Sequence, residues 1–196
     1  MKIAIIKYNA GNVKSVEIAL ERLGVSSLLT DTAEEILSAD RVIFPGVGEA
    51  SSAMRYLKQR SLDQVIRGVK QPFLGICLGM QLMCQYSEEN NTDCLGIFSE
   101  EVKKFNPDVI QLKSPQIGWN NIFDLTSPIF AGVAENSYGY FVHGYYAHLG
   151  MHTIAKAAYG MNYSAALSRD NFYGVQFHPE KSAEVGSKII QNFLDL

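Results

Sequence analysis

Within Pro72-Phe73-Leu74-Gly75-Ile76-Cys77-Leu78-Gly79-Met80-Gln81, an apolar run stops on a cysteine and a helix-forming run begins at once. Glycines stand two residues before and two after that cysteine. The pattern is that of a nucleophile elbow, a sharp strand-to-helix turn that lifts one side chain out of the end of a sheet. A side chain at either glycine would crowd the neighbouring backbone in so tight a turn. A thiol at a helix N-terminus also meets the positive end of the helix dipole, which favours thiolate. This element needs a parallel sheet around it, and therefore an α/β fold.

The first half of the chain supplies one. Lys2 to Tyr8 reads as a strand, and Asn12 to Leu23 as a helix with Val13, Val16, Leu20 and Leu23 on one face and Gly24 as a stop. Val25 to Leu29 is a weaker strand, and Asp31 or Thr32 caps a short helix through Leu37. Arg41 to Phe44 is a strand ending on Pro45-Gly46-Val47-Gly48, followed by helices over Glu49 to Arg60 and Leu62 to Val69 and the strand Pro72 to Ile76. Such alternation predicts a mostly parallel central sheet with helices on both faces. From Leu95 to Ala166, short β-prone pieces with many aromatics predict antiparallel strands appended to that core. Phe172 to Phe177 is a further strand, and Ala183 to Leu194 a closing helix. With no repeat, low-complexity tract or linker, residues 1–196 read as one domain.

The chain has 196 residues, 47% of them hydrophobic and 19% charged, and carries a net charge of −3. That balance offers nothing to attract nucleic acid or an anionic membrane. No apolar run approaches the ~20 residues that span a bilayer. Met1 to Ile6 reads as a first strand rather than a signal peptide, because Lys7 and Asn9 interrupt it. Cys77, Cys84 and Cys94 are odd in number and lack framework spacing, which points to a reducing, cytoplasmic compartment. Cys84 is expected on the same helical face as Cys77 and in the core, and Cys94 to be incidental in a polar segment.

Three features fall at predicted strand ends, where open α/β sheets place their sites. They are the Pro45–Gly48 turn, Cys77, and Gln176-Phe177-His178-Pro179-Glu180. A free cysteine is ordinarily a small buried hydrophobe; the flanking glycines favour the nucleophile here. His178 is either a satisfied structural histidine or the general base, with Pro179 fixing its backbone direction. Glu180 is either a solvated carboxylate or the group that orients the imidazole. Gly46 and Gly48 either make an ordinary turn or let backbone N–H groups face a developing oxyanion, with the Leu78 N–H as second donor. The turn lacks the lysine and the length of a phosphate loop. His148 and His152 have a metal-ligand spacing but no third ligand nearby, so they read as a surface turn. The aromatics Tyr138, Tyr140, Phe141, Tyr145 and Tyr146 read as sheet packing rather than as a base-stacking platform.

The elbow and the His-Pro-Glu stretch together resemble the class I (triad) glutamine amidotransferases. Tyr8-Asn9-Ala10-Gly11-Asn12, Phe44 to Gly48, Pro115-Gln116-Ile117-Gly118-Trp119-Asn120, Phe141-Val142-His143-Gly144-Tyr145-Tyr146 and Glu180-Lys181-Ser182 narrow the resemblance to the glutaminase subunits of imidazole glycerol phosphate synthase. The resemblance runs from the first strand to the last helix. It implies a flavodoxin-like fold and hydrolysis of glutamine to glutamate and ammonia by Cys77, His178 and Glu180. It further implies an oxyanion site from the Val47 and Leu78 N–H groups, with Gly46 and Gly48 allowing that turn to rearrange. By the same resemblance, Gln81, Glu89, Gly144 and Tyr145 hold the substrate's polar ends. Asn12, Trp119 and Lys181 match positions at the interface with a (β/α)₈-barrel cyclase subunit, which receives the ammonia; for Trp119 a core indole is the competing reading. No cofactor or metal is implied.

Two positions depart from the family pattern. Lys7 stands where an aspartate is common, and Gly144 where a serine or threonine often follows the histidine. A paralogous amidotransferase subunit serving amidino-sugar synthesis would carry the same catalytic residues. A catalytically silent binding module would keep the fold without needing the triad. A stand-alone peptidase or γ-glutamyl hydrolase would leave Pro115 to Asn120 without a role.

Overall fold

The computed structural model describes residues 1–9 and 12–196; Ala10 and Gly11, part of the Tyr8 to Asn12 motif, lie outside the described residues. The elements run β1 (Ile3–Ile6), α1 (Val13–Arg22), β2 (Ser27–Thr30), α2 (Ala33–Leu37), β3 (Arg41–Gly46), α3 (Ala50–Gln59), α4 (Leu62–Gly68), β4 (Phe73–Cys77) and α5 (Leu78–Met83). They continue through β5 (Tyr86–Ser87), β6 (Thr92–Asp93), β7 (Glu101–Lys104), α6 (Pro107–Ile110), β8 (Gln116–Ile122), β9 (Ser137–His143) and β10 (Tyr145–Ala147). The last are β11 (Thr153–Ala158), β12 (Asn162–Arg169), β13 (Phe172–Val175) and α7 (Ala183–Leu194).

The seven-stranded sheet has the order β11-β12-β13-β4-β3-β1-β2. Its parallel part, β2-β1-β3-β4-β13, has the flavodoxin-like order, with a switch point between β1 and β3. Every residue of β1 and β4 is buried, as expected for parallel strands covered on both faces. Strand alternation sends Ala4, Ile6, Val42 and Phe44 to one core under α2, α3, α4 and α5. Ile3, Ile5, Ile43 and Ile76 go to the other core, with Val16 and Leu20 of α1 and Ile189, Ile190 and Phe193 of α7.

β3 runs two residues further than the sequence suggests, through Pro45 and Gly46, which pair with Ile76 and Cys77 of β4. β1 pairs with β3 only as far as Ile43, so the missing Pro45 N–H takes no bond from the ladder on that side.

The second half differs in detail from the expected appended strands. β11 and β12 extend the main sheet antiparallel, β8 and β9 form a separate antiparallel ribbon, and β10-β7-β5-β6 make a small third sheet. That third sheet begins at Tyr86 and contains a parallel pair, β5 with β7. β5 carries no periodicity to be read, since it has only two residues. Cys84 is buried but not helical, because α5 ends at Met83 and Cys84 turns extended. Cys94 is a core residue rather than an incidental one, held within the first core.

Candidate active site

The parallel register brings Gly46 beside Cys77, and β13 ends beside them just before Gln176 and His178. Cys77 has φ 52° and ψ −109°, a strained conformation for a residue with a Cβ. The elbow's two glycines are required by contact. A Cβ on Gly79 would overlap the Phe44 carbonyl oxygen, and one on Gly75 would sit 2.8 Å from the Met80 nitrogen. The cysteine is buried, with its Sγ 3.8 Å from the Val142 carbonyl oxygen and 3.7 Å from the Gln176 amide nitrogen.

His178 is held by its backbone, whose N–H donates to the Tyr140 carbonyl at 2.8 Å and whose carbonyl accepts from Ser182 Oγ at 2.7 Å. A helical turn over Pro179–Lys181 then carries Glu180 back under the ring, and His178 Nδ1 meets Glu180 Oε1 at 2.8 Å. Both side chains are essentially inaccessible to solvent. With Nδ1 engaged by the carboxylate, Nε2 is the nitrogen left for Cys77. Burial alone would push the imidazole down, but hydrogen bonds and charge from Cys77 and Glu180 outweigh it and hold the ring at about 10. The imidazole therefore stays protonated at neutral pH.

A pocket of about 270 Å³ opens over Cys77. Val47, Gly48, Leu78, Gln81, Glu89, Gly144 and Tyr145 all line it, so the candidate oxyanion and substrate residues converge. Gly46 lies behind it, at the end of β3. Gln81 is buried, and its amide nitrogen donates to the Tyr145 carbonyl and Gln176 Oε1, each at 2.9 Å. Glu89 accepts from the Ala50 N–H at the start of α3, 2.7 Å away, and burial raises its carboxyl from the ordinary value. At Gly144 a Cβ would meet only Pro115 and Ser114 Oγ, at 3.8 and 3.9 Å, so the missing side chain leaves usable space.

Among the three interface candidates, Asn12 reaches the His178–Glu180 pair. Its amide donates to Glu180 Oε1 and lies 3.4 Å from His178 Nδ1, so it touches the triad directly. Trp119 is 54% exposed, which overturns the core-indole alternative. Trp119 and Lys181 line a groove of about 720 Å³ between α1, α7 and the Pro179–Lys181 turn. Lys7 is exposed, with its N–H donating to Thr30 and its side chain outside the pocket. His152 leans on Phe98 and pairs with buried Glu100 at 2.8 Å, and no metal-binding group of side chains occurs among the described residues. Of the aromatics, Phe141 and Tyr146 are core residues, whereas Tyr138 is exposed.

Sequence reasoning missed Gln176, His143 and Tyr8 as neighbours of Cys77. A glutamine at the end of an apolar strand, two residues before His178, is the signal the sequence offers for Gln176. His143 is enclosed by Phe105, Phe141 and Tyr163, and burial lowers it to about 4, so it is neutral.

Residues 4–196 match the model of the family described as glutamine amidotransferase class-I. The chain is 54% identical over 196 residues, all of both chains, to a Bacteroides fragilis protein named imidazole glycerol phosphate synthase subunit HisH. It is 46% identical over 98% of its length to a protein of the same name from Pasteurella multocida, covering 97% of that relative. Among solved structures, a putative GMP synthase protein from Thermoplasma acidophilum superposes with a TM-score of 0.77 at 21% identity, over 100% of this chain and 92% of the other; that likeness concerns the fold. The chain belongs to the class-I glutamine amidotransferase family.

Proposed function

We propose that this chain is the glutaminase subunit of an imidazole glycerol phosphate synthase. It hydrolyses glutamine and passes ammonia to a cyclase subunit that makes imidazole glycerol phosphate and AICAR in histidine biosynthesis. The observation that carries the reading is end-to-end identity of 54% to a relative of that name. The buried Cys77–His178–Glu180 constellation supports it chemically.

In this reading the Cys77 thiolate attacks the side-chain carbonyl carbon of glutamine. His178 gives its proton to the departing nitrogen, and the C–N bond breaks to release ammonia. Water, deprotonated by His178, then attacks the γ-glutamyl thioester and releases glutamate, returning the proton to the His178–Cys77 pair. The Val47 and Leu78 N–H groups hold the oxyanion of both tetrahedral intermediates. Glu89 lies where a carboxylate suits the substrate ammonium, while Gln81, Gly144 and Tyr145 fix the rest of its polar end.

Ammonia that escapes to solvent is lost to synthesis, so the nucleophile needs a covered exit. The β8–β9 ribbon exposes Ile117, Trp119, Tyr138 and Val142, and the Val142 carbonyl is 3.8 Å from Cys77 Sγ. An apolar face one peptide away from the nucleophile suits docking of a (β/α)₈-barrel cyclase, with Trp119 as an anchor and Lys181 beside it. No described helix is long and apolar enough to cross a membrane, and three buried free cysteines support a cytoplasmic setting. The test is glutamate release by the purified chain, alone and then with the purified barrel partner plus its nucleotide ligand. Low activity alone and strong stimulation in the complex are expected; robust hydrolysis by the isolated chain would refute partner dependence.

A further inference from the structure

Tyr8 follows β1 at the switch point of the sheet, and its ring packs on Phe44 of β3 with centroids 5.1 Å apart. Its hydroxyl is fully buried and has no hydrogen-bond partner among the described residues. Leaving a buried hydroxyl unpaired costs about 1–3 kcal/mol, so such a group calls for an explanation. The hydroxyl lies against Gly46, where an added Cβ would overlap it and would sit 2.9 Å from Leu78 Cβ. Tyr8 does not line the pocket over Cys77, whereas Val47 and Gly48 do. The hydroxyl therefore reaches Gly46 without itself lining that pocket.

We propose that Tyr8 is a positioning residue for the oxyanion site, its hydroxyl donating to the Gly46 carbonyl when the Val47 N–H faces the reacting carbonyl. A trans peptide is planar, so its N–H and C=O point in opposite directions. Turning the Val47 N–H towards Cys77 therefore drives the Gly46 oxygen away from the nucleophile, and in this reading it meets the Tyr8 hydroxyl. Gly48, the residue after Val47, has φ +130°, a conformation that residues with a Cβ rarely adopt. Burial and the nearby Cys77 both raise the phenol, so it remains a protonated donor even beside a thiolate. Gly46 leaves room for the hydroxyl at the one point where a larger residue would displace it.

The inference rests on the oxyanion site proposed above, and one experiment separates the two. Wild type, Tyr8→Phe and Cys77→Ala are each assayed for glutamine hydrolysis in complex with the barrel subunit, and their thermal midpoints are measured. Tyr8→Phe removes only the hydroxyl, and the expected result is a kcat lowered about tenfold at unchanged KM, with a thermal midpoint equal to or above wild type. A kcat within twofold of wild type overturns the role of Tyr8, as does a fall in kcat accompanied by a lower midpoint and a higher KM. If the wild-type complex itself hydrolyses no glutamine, or Cys77→Ala remains active, the underlying glutaminase reading fails instead.

Discussion

His178 Nδ1 lies 2.8 Å from Glu180 Oε1, two residues along the same turn, with neither side chain accessible to solvent. This local pair, joined to a cysteine on another strand, holds the imidazole at about 10 against the opposing effect of burial. Glu180→Gln keeps the shape and removes the charge. It is expected to lower kcat of the stimulated enzyme by about a hundredfold or more, and to lower the pH at which His178 gives up its proton, seen as a shift in the pH profile of Cys77 alkylation. The rate of Cys77 alkylation by iodoacetamide, followed from pH 5 to 10, reads this directly. The sign for stability follows from a raised value: the pair's contribution is complete below the ordinary 6.5 and is lost as pH climbs towards about 10.

His143 has the opposite sign. Burial lowers it from 6.5 to about 4, so the unfolded chain binds a proton that the native state refuses between those values. Stability is expected to fall as pH drops through that window, by roughly 3 kcal/mol in total. His143→Phe should flatten this limb of the stability–pH curve, even though it also forfeits the 2.7 Å contact with the Tyr145 carbonyl. Urea midpoints at pH 7 and pH 4.5 for the two proteins give the comparison; equal slopes would exclude the assignment.

At the elbow, Gly79→Ala forces a methyl group into the Phe44 carbonyl. Strand β3 and helix α5 cannot both keep their places, so destabilisation of about 3 kcal/mol or more is expected, or no soluble protein at all. Circular dichroism melting with Gly68→Ala as control checks it, because a Cβ on Gly68 meets nothing within 4 Å.

Trp119 is exposed and rests edge-on against Tyr140, with centroids 5.7 Å apart. Trp119→Ala should therefore leave the thermal midpoint of the isolated chain nearly unchanged. Its effect is expected on the complex, weakening affinity for the barrel subunit by about 2 kcal/mol, roughly thirtyfold in Kd. Calorimetric titration of one subunit with the other measures it.

A side chain added at Gly144 would find open space in the pocket wall. Gly144→Ser fits the space beside Pro115 and Ser114 and adds a hydrogen-bonding group to the pocket wall. A KM for glutamine lowered a few-fold at unchanged kcat is expected in steady-state assays of the complex; a raised KM would argue against substrate contact there.

The α/β alternation, the elbow and the His-Pro-Glu turn are legible because each is written in local sequence. Gly75 and Gly79 flank Cys77 by necessity of contact, and Glu180 reaches His178 within one helical turn. The appended strands are legible only as a class, since two-residue strands such as β5 and β6 have no periodicity to read. The places of Cys94 and Trp119 escape a local reading because burial depends on what packs from elsewhere. Asn12 matches an interface position by resemblance, and the contact of its amide with Glu180 is visible only in the fold.

By itself, the sequence determined the candidate nucleophile Cys77, its strained turn and the histidine–glutamate pair, all of which depend on neighbours a few residues apart. Only the tertiary structure decided that these groups meet, because parallel pairing of β3, β4 and β13 aligns strand ends that are distant along the chain. It also decided that the Tyr8 hydroxyl lies buried against Gly46. Local sequence carries backbone geometry; the burial and electrostatics that make a site depend on long-range packing.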